Sequence, residues 1–364
     1  PKHKTLTMRK IWLYSLLILL PAFLHGQDTL TLAFIGDVMQ HKRQLQSARV
    51  QGADTLLSES YDYSSYYKYT GKILSQADFA VANMEFVCGL SPYTGYPTFS
   101  APASLAQETL EEGIDLFLCA NNHIFDKGQK GYQKTIETYK TLGAEYTGVY
   151  SDPDEMERTS PYIAEIKGVK VAFINFTYGT NLAAGKAIVQ RMDTLSVSRS
   201  IERARADGAQ FIIALPHWGV EYSILPSPQQ KHWEEYLYSR GVNAIIGTHP
   251  HVVQPINVIR SAEGEIGHIT AYSLGNYISN MSAKNTQIGF IFVLKLVKEG
   301  EKCRIVSGEP VWLWCSRGGR FEKNYTTFPV ADFLDKPELF PIKYEYENMV
   351  ETYHRLRENI PYGK

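Results

Sequence analysis

The sequence carries no surplus of either charge: 37 Lys and Arg stand against 38 Asp and Glu in 364 residues, for a net charge of −1. The basic residues are scattered, so the electrostatic footprint of a nucleic-acid binder is missing and no nucleic-acid partner is expected. Cysteine is scarce, and the four present, Cys88, Cys119, Cys303 and Cys315, form no Cys-x-x-Cys pair. That spacing argues against a thiolate zinc site. Cys119 falls in an apolar run and reads as a buried thiol, whereas the stretch from Cys303 to Cys315 reads as strand-turn-strand and would allow a bridge. No internal repeat or low-complexity linker divides the chain. One apolar run, Ile11 to Leu24, follows Arg9-Lys10 near the start. It is shorter than the roughly 20 residues of a spanning helix and fits a secretory signal cut near Gly26-Gln27. Leu24 stands where a small residue is preferred, which leaves a retained anchor as the alternative. The expectation is an exported protein, periplasmic or at the cell surface, with residues 1–26 as signal or anchor.

What is present is a series of short apolar runs that each stop at chemistry-bearing residues. Thr29 to Ile35 ends in Gly36-Asp37, and Asp78 to Ala82 runs into Asn83-Met84-Glu85. Asp115 to Ala120 opens onto Asn121-Asn122-His123, with Asp126 and Gly128 beyond. Phe211 to Leu215 delivers Pro216-His217-Trp218-Gly219-Val220-Glu221, and Asn243 to Ile246 leads to Gly247-Thr248-His249-Pro250-His251. Helical spacing fills the intervals. Tyr132, Ile136 and Tyr139 precede Gly143, and Val197, Ile201 and Ala204 precede Gly208. Ser227, Pro228 and Gln230 spell a capping box with Pro at the first helical position. Strands alternating with helices predict an α/β fold whose strand ends gather on one sheet edge, where such folds bind ligands. The Tyr-rich segment Tyr61 to Tyr67 reads as a packed loop or, alternatively, a carbohydrate-facing or partner-facing surface.

Each of these residues has an ordinary structural role open to it; the shared position at strand ends is what points to a site. Asp37, Glu85, Asn122, His217, His249 and His251 make a mixed oxygen and nitrogen donor set suited to Mn, Fe or Zn. Two such ions about 4 Å apart can clamp a phosphoryl group during in-line displacement. His123 would protonate the leaving oxygen. Asp126 either fixes the His123 tautomer or caps the helix that follows.

The motifs Gly36-Asp37-Val38-Met39, Ala82-Asn83-Met84-Glu85, Ala120-Asn121-Asn122-His123, His217-Trp218-Gly219-Val220-Glu221-Tyr222, Gly247-Thr248-His249-Pro250-His251-Val252 and Ser273-Leu274-Gly275-Asn276 carry a resemblance. The chain resembles the CapA-type poly-γ-glutamate capsule biosynthesis family, which is related to the calcineurin-like metallophosphoesterases, from about Leu30 to Phe292. The resemblance implies a four-layer sandwich of two central β-sheets flanked by helices, over residues 27–300. Residues 301–364, with strands and a helix near Tyr344 to Asn359, would complete that domain or be appended to it. It also implies Asp37, Asn122, His217, His249 and His251 as ligands of one or two divalent ions and His123 as the acid, with Asn83, Asn121, Glu221 and Asn276 toward the substrate. Two departures stand out. The phosphoesterases place a His two residues after the first Asp, where this chain has Met39, and their bridging Asp motif is replaced by Asn83-Met84-Glu85, with Glu85 the expected carboxylate.

On that basis the expected function is metal-dependent hydrolysis, of the phosphoesterase or amide type, on an anionic capsule or envelope polymer or its precursor. Membrane-bound components of polymer synthesis or export would be further partners. The alternative is a non-catalytic component of such an assembly, toward which Met39 and the tyrosine cluster lean.

Overall fold

The computed structural model describes residues 29–363, so the signal or anchor segment 1–26 lies outside the described residues. Fourteen strands form one continuous sheet. They are β1 (Thr29–Val38), β2 (Phe79–Met84), β3 (Leu116–Leu118), β4 (Glu145–Thr147), β5 (Tyr162–Ile166), β6 (Val169–Thr177) and β7 (Phe211–His217). Then come β8 (Ala244–Ile246), β9 (Ile256–Arg260), β10 (Ile266–Ala271), β11 (Asn276–Ile278), β12 (Ile288–Glu299), β13 (Lys302–Ser316) and β14 (Thr326–Pro329). The main helices are α1 (Lys42–Ala48), α2 (Ala103–Glu111), α3 (Gly128–Leu142), α4 (Thr194–Ala206), α5 (Pro228–Ser239) and α6 (Lys343–Asn359).

The strand order is β4-β3-β2-β1-β12-β13-β10-β8-β7-β6-β5. Side-chain alternation shows how this sheet is used. Leu30, Leu32 and Phe34 of β1 share a core with Val169, Val171 and Phe173 of β6 and with Phe211, Ile213 and Leu215 of β7. The sheet therefore folds back on itself, and its two halves face each other across that core. The intervening Ala33 and Ile35 of β1 pack instead on helices α1, α2 and α3. On the far side, Ala172, Ile174, Ile212 and Ala214 pack on α4 and α5. Strands buried on both faces read as continuous apolar runs, as these do. The result is the expected four-layer sandwich: helices, half-sheet, half-sheet, helices.

Strand β13 joins the halves, pairing with β12 along most of its length and touching β10 at Ile266 and Ile305. This corrects the strand-turn-strand reading of Cys303 to Cys315. Both cysteines lie on the single strand β13, about 40 Å apart at the usual strand rise, and all four cysteines are free. Tyr63, Tyr66 and Tyr67 are fully buried, so the tyrosine cluster is a packed loop. Helix α5 begins as spelled, with Ser227 and Gln230 bonded reciprocally. Helix α6 closes the end of the inter-sheet core with Met349, Tyr353 and Leu356.

Strands β1 to β4 run parallel, as do β6, β7, β8 and β10. Their carboxyl ends therefore lie together, on the edge where both halves meet. At that edge β1 shifts register between Ile35 and Asp37, and the Asp37 amide donates to the Gly275 carbonyl at 3.0 Å. A Cβ on Gly36 would lie 1.9 Å from that carbonyl oxygen, so only glycine allows the approach.

Candidate metal centre

Every strand end singled out above delivers a buried polar side chain to one place. Asp37, Asn83, Glu85, Asn121, Asn122, His217, His249, His251 and Asn276 are all buried. Register carries part of this convergence: Asp37 lies opposite Asn83 on β2 and opposite Asn276 on β11. The rest comes from loops. His249 and His251, after β8, hold positive backbone φ angles of 100° and 56°. Non-glycine residues rarely adopt that region, and the strain, about 1–3 kcal/mol each, is characteristic of functional loops. The Trp218 amide bonded to the Thr248 carbonyl (3.0 Å) and the Tyr222 amide bonded to the Pro250 carbonyl (2.8 Å) hold it in place.

Glu85 sits at the middle. Its Oε1 lies 3.6 Å from His217 Nε2 and 3.7 Å from His251 Nε2. Two groups of donor atoms share it: Glu85 with His249 and His251, and Glu85 with Asp37 and His217. His217 Nε2 also faces Asn122 Oδ1 at 2.8 Å, while its Nδ1 lies 3.0 Å from Thr248 Oγ1. His251 Nδ1 lies 3.0 Å from both Asp37 Oδ2 and Asn276 Oδ1. Asn83 is the hub below them, donating to Asp37 Oδ1 at 2.7 Å and accepting from Asn121 Nδ2 at 3.2 Å.

The electrostatics of this set are unbalanced without a cation. Burial, and next the Asp37 charge, push the Glu85 carboxyl well above its usual range. Burial, with neighbouring histidines, holds His217 well below the ordinary imidazole value and His249 down at about 3. Burial thus favours the neutral form of His217 and His249, the form that ligates metal. No Lys or Arg among the described residues pairs with Asp37 or Glu85. Glu85 Oε1 and His249 Nδ1 are buried without hydrogen-bond partners. Two adjacent buried carboxylates with orphaned donor atoms fit a divalent cation, which would neutralise the charge and occupy the open lone pairs.

Beside this group, His123 Nδ1 lies 2.7 Å from Asp126 Oδ2, and the same oxygen accepts from the Phe99 amide at 2.6 Å. Asp126 therefore holds His123; the cap position of α3 is Lys127. Glu221 is not brought into the buried cluster. It lies exposed after β7 and acts on Glu85 through its charge alone. Met39 is fully buried, with Ser279 Oγ 3.9 Å from its sulfur.

Sequence reasoning missed several residues. Tyr178 sits with its ring 4.5 Å from that of His249, and burial lifts its hydroxyl to about 12. Phe99 packs edge-on against His123 at 4.6 Å and against His41 at 5.0 Å. His41 is held near 4, mainly by burial, while the charges of His251, His123 and Arg317 push the same way. Thr248 lies inside the quoted Gly247 to His251 motif and Tyr178 directly follows β6, so both stand at strand ends, whereas His41 and Phe99 come from segments whose path no strand pattern reveals.

With the geometry in place, the comparisons with known proteins are specific. The family described as "Bacterial capsule synthesis protein PGA_cap" matches residues 31–281. The capsule biosynthesis protein CapA of Bacillus anthracis is 25% identical over 274 residues, which cover 71% of this chain and 62% of that protein. This chain thus spans less than two thirds of that relative. The PGA biosynthesis protein CapA of Bacillus subtilis (strain 168) is 24% identical over 294 residues, 76% of this chain and 70% of the relative. Among solved structures, the calcineurin-like phosphoesterase YfkN from Bacillus subtilis is similar at a TM-score of 0.46 and 17% identity, over 92% of this chain and 98% of that one.

Proposed function

The chain belongs to the bacterial capsule synthesis PGA_cap family, and on that premise we propose that it is a metal-dependent hydrolase acting on an anionic capsule or envelope polymer or its precursor. One observation carries this reading: Glu85, buried against Asp37, has an orphaned oxygen shared by two histidine-containing donor groups. Asp37, Glu85, Asn122, His217, His249 and His251 would hold one or two ions of Mn, Fe or Zn. When bound, the metal would supply Lewis-acid polarisation of a phosphoryl or carbonyl oxygen and acidify water. The protein's own residues account for the rest. Thr248 and Asn276 orient His217 and His251 through their far nitrogens. Asp126 occupies Nδ1 of His123, which leaves Nε2 to carry a proton to the leaving oxygen or nitrogen. Asn83 and Asn121 brace the floor, so their part is positioning more than substrate contact.

The tyrosine cluster is core and so lends nothing to the non-catalytic alternative, whereas Met39, standing where the phosphoesterases place a His, still favours it as the second reading. The same reading carries export, suggested by Arg9-Lys10 and the run Ile11 to Leu24, and partners among membrane-bound polymer synthesis or export components. Among the described residues no helix is long and apolar enough to cross a membrane. The test is turnover of oligo-γ-glutamate and of a chromogenic phosphodiester by metal-loaded protein, wild type beside His123→Ala. Hydrolysis of either, lost in the variant, supports the proposal; no turnover, or equal turnover in both, contradicts it.

A further inference from the structure

The chain is nearly neutral overall, yet one cavity of about 380 Å³ gathers cations. It opens between the loop 282–287, the end of β13 and the face of α6. Lys284, Arg317, Arg320 and Arg355 line it against a single lining carboxylate, Glu351. Only Arg320 has its charge matched: Nη1 lies 2.9 Å from Oε2 of the buried Glu345. Arg355 is held by neutral acceptors, Asn285 Oδ1 at 2.8 Å and Thr352 Oγ1 at 3.4 Å. Arg317 donates to the Met281 carbonyl, and its Nε is buried without a partner among the described residues. Lys284 is exposed and makes no ion pair among the described residues. Guanidinium forks fixed by neutral groups keep their charge and spare donors for a planar oxyanion.

The cavity adjoins the metal centre through one loop. Asn276, whose Oδ1 meets His251, donates from Nδ2 to the Thr286 carbonyl at 3.0 Å. Arg317 donates to the carbonyl of Met281, the residue just before that loop, whose sulfur lies 3.8 Å from Asn276 Nδ2. We propose that this cavity is an anion subsite in which Arg317, Arg355 and Lys284 receive a carboxylate of a polyanionic chain. The identity of the chain rests on the function proposed above; the recognition of an oxyanion rests on the cavity.

The experiment is calorimetric titration of the whole protein with oligo-γ-glutamate and, separately, with inorganic phosphate. Wild type is compared with Arg317→Gln/Arg355→Gln and with Lys284→Gln at an exposed position that folding tolerates. The expected result is oligoglutamate binding that weakens at least tenfold in the double variant and about threefold in Lys284→Gln, with metal content unchanged in both. Equal affinity in wild type and both cavity variants would overturn the proposal. So would binding of phosphate alone, which would make the cavity a site for small oxyanions. Failure of the hydrolase reading shows separately, as absent turnover while binding still depends on the cavity residues.

Discussion

His123 Nδ1 and Asp126 Oδ2 lie 2.7 Å apart, both side chains buried at the edge where the strand ends meet. The pair fixes which imidazole nitrogen faces outward and holds the ring in one orientation. Asp126→Asn keeps the shape and removes the charge. The expected outcome is a 10- to 100-fold fall in kcat, on the scale of such orienting contacts, with metal content unchanged. Steady-state kinetics beside elemental analysis checks it, and an unaltered kcat would remove the acid role from His123.

Asn83 supports the centre mechanically. Its side chain bonds Asp37 and Asn121, all three fully buried. Truncation to Ala leaves a buried carboxylate oxygen of Asp37 without that donor and removes one of two acceptors from the Asn121 amide, which keeps the Met84 carbonyl at 2.9 Å. A buried unsatisfied group costs about 1–3 kcal/mol. Asn83→Ala is therefore expected to lower stability by a few kcal/mol in urea unfolding of the metal-free protein. A change within about 0.5 kcal/mol, typical of surface sites, would contradict the hub role.

His41 gives a pH dependence with a defined sign. Its folded pKa is held at about 4, below the ordinary value of 6.5. The unfolded chain takes up a proton first as pH falls, so the contribution is intact above 6.5 and lost progressively toward 4. One proton corresponds to at most about 1.4 kcal/mol per pH unit. His41→Gln is expected to show a shallower loss of thermal stability between pH 6.5 and 4 than wild type. Parallel curves would mean that His41 titrates normally.

Much of the donor set was legible because its chemistry is local: polar ligand types stood where apolar runs of strand length stopped. The parallel halves then made the convergence geometric, since strand ends on one edge need no sequence proximity. Other features depended on long-range packing. The run Cys303 to Cys315 was misread because β13 carries mixed residues along its whole length, half of them facing the other half-sheet or solvent. The sequence reads Tyr61 to Tyr67 as a packed loop but leaves a surface open because tyrosine serves both settings, and contacts such as Tyr67 to Thr109 decide for the core. Glu221 shared a motif with His217, yet the chain turns outward after Trp218 and leaves it exposed. His41 and Phe99 reach the site from loops with no periodic signal at all.

The central claim is that Glu85 joins two metal-binding groups. Elemental analysis of purified protein loaded in turn with Mn, Fe and Zn, wild type beside Glu85→Gln and His251→Ala, tests it most directly. The expected result is bound transition metal in the wild type, reduced in His251→Ala and reduced further in Glu85→Gln, because only Glu85 belongs to both groups. Full metal content in Glu85→Gln, or none in the wild type, would contradict the account.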